Sequence, residues 1–248
     1  GVAYAFAHGV VSGGFRRHRQ ESTVFALLSS FPNSAFMGLP IVVLLLPDNA
    51  EAAIVASLGA VLTSANMLFA DGKLELGRHK GEGRKQAVLS LFRALYRNPL
   101  LIYSALGAAV SLFGIPMPKS ILAMTGMLGS TSAPCALFCM GMILSRQMTS
   151  SRGFVKGWAR NQFPLHLIKL FVEPAFTFGI LHLLGVRGIS LAVATIIAAM
   201  PTAVAAYIIA EKYQVAAEDS SLGIVVDTAL SAVTIPVLIV LLQSYGLL

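Results

Sequence analysis

The chain of 248 residues is 56% hydrophobic and only 12% charged, with a net charge of +7 and a mean hydropathy of +0.77. One globular core cannot bury that share of apolar side chains, so a soluble globular domain is excluded and an integral membrane protein is defined. The basic residues fall in short segments between apolar runs, as they do where charge sets helix orientation in a bilayer, and this excludes reading the charge as a nucleic-acid surface.

Eight membrane segments are predicted, over residues 2–14, 23–46, 52–70, 99–115, 120–145, 163–184, 189–210 and 222–243. The first is shorter than the roughly 20 residues a span needs, so the chain is expected to begin inside a helix. No signal peptide can be read from a chain that starts at Gly1.

The second segment is interrupted at mid-depth by Phe31-Pro32-Asn33-Ser34-Ala35-Phe36-Met37-Gly38-Leu39-Pro40. Two prolines, a glycine and an asparagine free backbone N–H and C=O groups, which hydrocarbon tolerates only where they are buried in protein or line a cavity. In the third segment Thr63, Ser64 and Asn66 form a polar cluster. The connection 71–98 then separates three segments from five. Its part 72–84 mixes Gly with charge and reads as a flexible linker. Its part 85–97 spaces Val88, Leu89, Leu91, Phe92, Leu95 and Tyr96 as on an amphipathic helix at the inner leaflet.

Cys135 and Cys139 stand four residues apart in the fifth segment, which excludes a disulfide framework and leaves packing as their role. The sixth segment places Lys169 and Glu173 one helical turn apart, where they can pair. A structural pair, an ion pair gating the pathway and snorkelling by Lys169 are all open readings. His166 and His182 lie near opposite ends of this segment with no clustered partner, so no metal site is expected. The seventh segment carries a second break, Met200-Pro201-Thr202-Ala203-Val204-Ala205-Ala206-Tyr207. In the eighth, Asp227 and Thr228 precede Ser231 and Thr234, and a carboxylate among hydroxyls is a candidate proton or sodium site as well as a satisfied residue near a helix end.

Loops after the first, third, fifth and seventh segments hold 15 Lys and Arg, while the alternate loops hold only Lys119 and Arg187. That asymmetry places the first group in the cytoplasm, at the inner (plasma) membrane of the cell. Pro201 aligns with Pro32, and Ser221-Leu222-Gly223 aligns with Ser57-Leu58-Gly59, as an internal repeat would. The expected fold is an all-α, five-plus-five inverted-repeat transporter with two proline-broken helices. Residues 1–70 are then the first, incomplete repeat, 71–97 the cytoplasmic linker and amphipathic helix, and 98–248 the second repeat.

Residues 31–42 (FPNSAFMGLPIV), Arg97-Asn98-Pro99, residues 133–141 (APCALFCMG), 169–174 (KLFVEP) and 199–215 (AMPTAVAAYIIAEKYQV) together resemble the auxin efflux carrier family, which includes plant auxin carriers and bacterial malonate or malate transporter homologues. The resemblance implies ten helices, of which this chain lacks the first two, and the fourth and ninth of which cross at their proline breaks. It also implies transport of small organic anions, with Asn33 matching the asparagine that contacts substrate and Lys169 matching a basic position. Glu173 matches no charge of the family pattern, and Thr202 stands where the plant carriers have a polar amide.

The substrate site expected from these readings comprises Asn33, Pro32, Ser34, Gly38, Pro40, Pro201 and Thr202. Asn33 can donate to an anion or cap the second half-helix, and the two roles are compatible. Pro32, Gly38, Pro40 and Pro201 are expected to shape the site. Asp227, Thr228, Ser231, Lys169, Glu173 and Asn66 are candidates for ion coupling or gating, with H+ or Na+ as the ion. No cofactor or metal is called for, and a homodimer is compatible with the plan. GxSxG, HExxH and GxxxxGK[ST] motifs are absent, which argues against an enzyme or an ATP-driven pump. The alternative to a carrier is a channel or membrane sensor for small carboxylates on the same fold.

Overall fold

The computed structural model describes residues 19–78, 99–150 and 163–248. The predicted segment 2–14 and the amphipathic helix 85–97 lie outside the described residues. Within them the regular structure is helical, without strands: α1 (Arg19–Leu28), α2 (Leu39–Leu45), α3 (Ala50–Arg78), α4 (Pro99–Leu112), α5 (Lys119–Ser150), α6 (Phe163–Leu183), α7 (Gly188–Ala198), α8 (Val204–Tyr213) and α9 (Ala217–Ser244). Three described stretches, Ala50–Gly72, Phe163–Leu183 and Ala217–Ser244, are long and apolar enough to cross a membrane.

Local chemistry explains the boundaries. Asn49 caps α3 by accepting from Ala52 N at 2.9 Å. Helix α6 ends in a paired reverse closure, Val186 N to Leu181 O and Gly185 N to His182 O, which requires the positive φ of 87° that Gly185 supplies. Two wide π turns, Ser34–Gly38 before α2 and Ile168–Val172 within α6, are each followed two residues on by a proline, Pro40 and Pro174. A proline ring collides with the carbonyl four residues back and brings no N–H to it, so widening the preceding turn relieves both conflicts.

The predicted second and seventh segments are each split. The second becomes α1, a short non-helical passage, the π turn Ser34–Gly38 and α2; the seventh becomes α7, the passage 199–203 and α8. Two hydrophobic clusters lie on either side of the breaks. One gathers Val24, Phe25, Leu27 and Leu28 of α1 with Leu74 of α3 and Ala206 and Ile209 of α8. The other gathers Val42 of α2, Ala52 and Ala56 of α3, Val193, Ile196 and Met200 from α7 and its end, and Ile235 of α9.

Two expectations are corrected. Helix α3 continues through Gly72 to Arg78, across half of the stretch read as a flexible linker. Its extension is held from outside: Lys212 Nζ reaches Asp71 Oδ1 at 2.9 Å, Tyr213 donates its hydroxyl to Asp71 O at 3.3 Å, and Leu74 is buried. Tertiary contacts override the weak helix preference of Gly72. Cys135, expected in packing, is exposed on the outer surface of α5.

Candidate functional site

The two interrupted segments cross and pair. Asn33 N donates to Pro201 O at 2.8 Å, and Ala203 N donates to Phe31 O at 3.0 Å, forming an isolated antiparallel bridge between Pro32 and Thr202. Proline has no N–H to offer, and here none is needed, because the flanking residues make both hydrogen bonds. The bridge sets Pro32 opposite Thr202, one residue beyond the Pro201 that the repeat alignment paired with it. Four half-helix ends converge at this crossing. The C-terminal ends of α1 and α7 bring carbonyls that continue into no further helical turn, and the N-terminal ends of the Ser34–Gly38 turn and of α8 bring N–H groups and positive dipole ends.

Asn33 occupies the residue before the Ser34–Gly38 turn, with φ −74° and ψ 59°, and is buried. Its backbone carbonyl accepts from Met37 N at 3.2 Å and Gly38 N at 2.9 Å, while its side chain makes no capping hydrogen bond. The side-chain cap expected as one role of Asn33 is not formed. Ser34 is buried, its hydroxyl 3.5 Å from Pro32 O. At Gly38 an added Cβ would lie 2.7 Å from Ile197 Cδ1 and 3.1 Å from Met200 Cγ, so the missing side chain lets the end of α7 approach the turn. Pro40 is the second residue of α2, directly behind the π turn whose widening accommodates its ring and its missing N–H.

Helix α6 supplies the polar support of both breaks. Lys169 is fully buried and does not snorkel. Its ammonium is hydrogen-bonded to Glu173 and donates to Ala198 O at 2.8 Å, the last carbonyl of α7. A cation on the negative end of a half-helix, neutralised from behind by a carboxylate, is a self-contained arrangement. One turn earlier, His166 Nδ1 lies 2.9 Å from Asp227 Oδ1. Asp227 Oδ2 lies 2.5 Å from Thr202 Oγ1, and the same hydroxyl is 2.6 Å from Leu28 O, the last carbonyl of α1. The last carbonyl of each of these two half-helices thus meets one side chain, Leu28 O meeting Thr202 and Ala198 O meeting Lys169. The reading of His166 as a residue without a clustered partner is corrected: its partner is 61 positions away on α9, a pairing that no local pattern announces.

The remaining candidates are less engaged. Ser231 is buried and donates to Thr228 O at 2.7 Å, and the Thr228 hydroxyl is buried with no hydrogen-bond partner among the described residues. Thr63 and Ser64 return their hydroxyls to Gly59 O and Ala60 O of their own helix, and Asn66 is half-buried beside them. His182 stacks on Phe178, with ring centroids 5.7 Å apart. Among the described residues no group of three or more His, Cys, Asp or Glu could hold a metal ion.

Gly223 controls the fit of His166. A Cβ there would lie 2.5 Å from His166 Cε1 and 2.9 Å from Nε2, against a ring held in place by Asp227. Gly223→Ala is expected to destabilise the protein by about 1–3 kcal/mol through overpacking. At Gly126 an added Cβ meets nothing within 4 Å, so Gly126→Ala is the control. A detergent thermal melt checks this, and equal melting temperatures for the two variants would contradict it.

Fold and site together define a membrane transport protein: apolar helices long enough to span, and two broken helices crossing at a buried polar junction. The sequence belongs to the membrane transport protein family, that of the auxin efflux carriers, whose profile matches residues 1–239. A provisionally named malonate transporter of Rhizobium meliloti is 26% identical over 234 residues, 92% of this chain and 69% of that protein. A provisionally named auxin efflux carrier component 9 of Oryza sativa is 28% identical over 167 residues, 66% of this chain and 38% of the relative. An uncharacterised transporter of Methanocaldococcus jannaschii is 24% identical over 213 residues, 84% of this chain and 65% of that protein.

Proposed function

We propose that the protein is a secondary transporter of small organic anions, carboxylates of the malate, malonate or auxin type, which bind at the crossed breaks and cross by alternating access. The observation that carries this reading is Asn33. It is buried at the N-terminal end of a broken half-helix, at the junction where the two breaks cross. An amide donor beside a positive dipole end suits a carboxylate at mid-membrane. Lys169 is committed to Glu173 and Ala198 O, so it acts as a structural anchor and the anion's charge falls to Asn33 and the backbone amides near it.

In this reading Pro32, Ser34, Gly38, Pro40, Pro201 and Thr202 shape the pocket around Asn33, and Asn66 faces it from α3. The two breaks belong to inverted repeats, the basic loops face the cytoplasm, and the protein sits in the inner (plasma) membrane as a monomer or homodimer. The names of the malonate and auxin relatives support the substrate class.

Uptake of radiolabelled malonate, malate and indole-3-acetate into vesicles containing the purified protein tests the reading. Saturable flux of at least one of them is expected, with Asn33→Ala lowering it by roughly a hundredfold, the loss of a charge-assisted hydrogen bond of about 2–3 kcal/mol. Flux that does not saturate would point to a channel. No carboxylate flux from folded protein would remove the organic-anion assignment.

A further inference from the structure

The Thr202 hydroxyl carries one proton, yet its oxygen lies 2.6 Å from Leu28 O and 2.5 Å from Asp227 Oδ2. A carbonyl oxygen only accepts. With the hydroxyl proton donated to Leu28 O, the contact to Oδ2 requires a second proton, and Oδ2 itself is the atom that can carry it. Asp227 Oδ1 then accepts from His166 Nδ1–H at 2.9 Å, and every proton in the chain has one donor and one acceptor. We infer that Asp227, oriented by His166, is a proton-binding site whose occupancy controls a tie between the two broken helices, and that the transported anion crosses together with this proton. This rests on the reading of the crossing as the anion site.

The coupling follows from the single proton of Thr202. When Asp227 holds its proton, O–H of Oδ2 donates to Thr202 Oγ1, and Thr202 donates to Leu28 O, linking the second break to the end of α1. When the Oδ2–H bond breaks and the proton leaves to water, the Thr202 hydroxyl turns to donate to the carboxylate. Leu28 O then loses its donor and the link opens. No other group changes its proton count.

The contacts favour a proton over sodium. Both carboxylate oxygens already face hydrogen-bonding partners, and an imidazole N–H is directed at one of them; a cation would need several more oxygen ligands in that space. The coupling to the anion is electrostatic. An anion at Asn33, next to the Pro32–Thr202 bridge, is repelled by an ionised Asp227 and tolerated by a protonated one, so anion and proton favour each other's binding by the same factor.

Among the described residues the titratable groups around Asp227 are few, and on α9 itself Glu218 and Asp219 stand in the first turn, two turns or more away. Helix α6 presents His166 in contact, and Glu173, within electrostatic reach and paired with Lys169. Helix α7 has no charged residue; α1 has Arg19 and Glu21 only in its first turn, and α8 has Glu211 and Lys212 only in its last. On α5 the charged residue at the start, Lys119, is exposed.

Three measurements on the purified protein test the proposal. Infrared difference spectra between acid and alkaline solution are expected to show a carboxylic-acid C=O band that is absent from Asp227→Asn and shifted in His166→Gln. At the alkaline pH where the infrared band has vanished, malonate binding in weakly buffered solution with a pH indicator is expected to take up about one proton per malonate in the wild type and none in Asp227→Asn, as reciprocal linkage requires. Malonate accumulation driven by a pH gradient is expected to fall by roughly tenfold or more relative to malonate exchange in the same variant. Proton-silent binding by the wild type, or a band that survives Asp227→Asn, would overturn the inference; the wild-type readings decide even if that variant fails to fold. A band assigned to Asp227 in a protein that binds no carboxylate would uphold the proton site and overturn both the organic-anion reading and the cotransport.

Discussion

Lys169→Met is expected to cost about 3–5 kcal/mol of stability, because it leaves Glu173 buried with its charge uncompensated and removes the donor from Ala198 O. Few single changes in this chain should do more. The double variant Lys169→Met with Glu173→Leu is expected to regain most of that loss, since replacing a buried ion pair by apolar side chains of similar volume is often close to neutral. What it cannot restore is the cap on α7, so its remaining deficit measures the contact with Ala198 O. Thermal melts in detergent check both steps. A single variant as stable as the wild type would show that Lys169 is not the anchor described above.

Thr202→Val should be the next most damaging change. Valine has the shape of threonine without the hydroxyl, so packing is kept while two buried partners, Leu28 O and Asp227 Oδ2, lose theirs at once. Each buried group left unpaired costs about 1–3 kcal/mol. Thr202→Ser keeps the hydroxyl and is expected to recover most of the stability. Hydrogen exchange adds a local readout: the Asn33 and Ala203 amides, which form the bridge, should exchange faster in Thr202→Val and remain protected in Thr202→Ser. Unchanged protection in the valine variant would show that the bridge stands without the hydroxyl.

The breaks themselves were legible because proline, glycine and asparagine in an apolar run violate the pattern of a plain membrane helix. Lys169 and Glu173 were legible as a pair because four residues make one helical turn. The rest of the junction was not, and the reason is distance along the chain. His166 meets Asp227 across 61 positions, Lys169 meets Ala198 O across 29, and Thr202 meets Leu28 O across 174. Periodicity encodes which face of a helix is apolar, but it does not say which other helix that face will meet. Backbone carbonyls as partners leave no trace in residue identity at all. The continuation of α3 beyond Gly72 was hidden for the same reason, since Lys212 and Tyr213, which hold Asp71, come from the far end of the sequence. The one-residue offset of the bridge had no signal either, because a proline serves equally well on either side of such a crossing.

The bridge between Pro32 and Thr202 also bears on how the protein is made. A ribosome that has delivered the first break to the membrane has yet to synthesise the residues that will pair with Asn33 N and Phe31 O. Until then those groups lie in the bilayer without their native partners, a costly state that neighbouring water or the insertion machinery must relieve. Assembly of the first half is therefore completed by the second, and closing so long a loop makes this docking a late and slow event. Nascent chains halted before Ala203 should be digested readily at the first break, and chains that extend past it should resist.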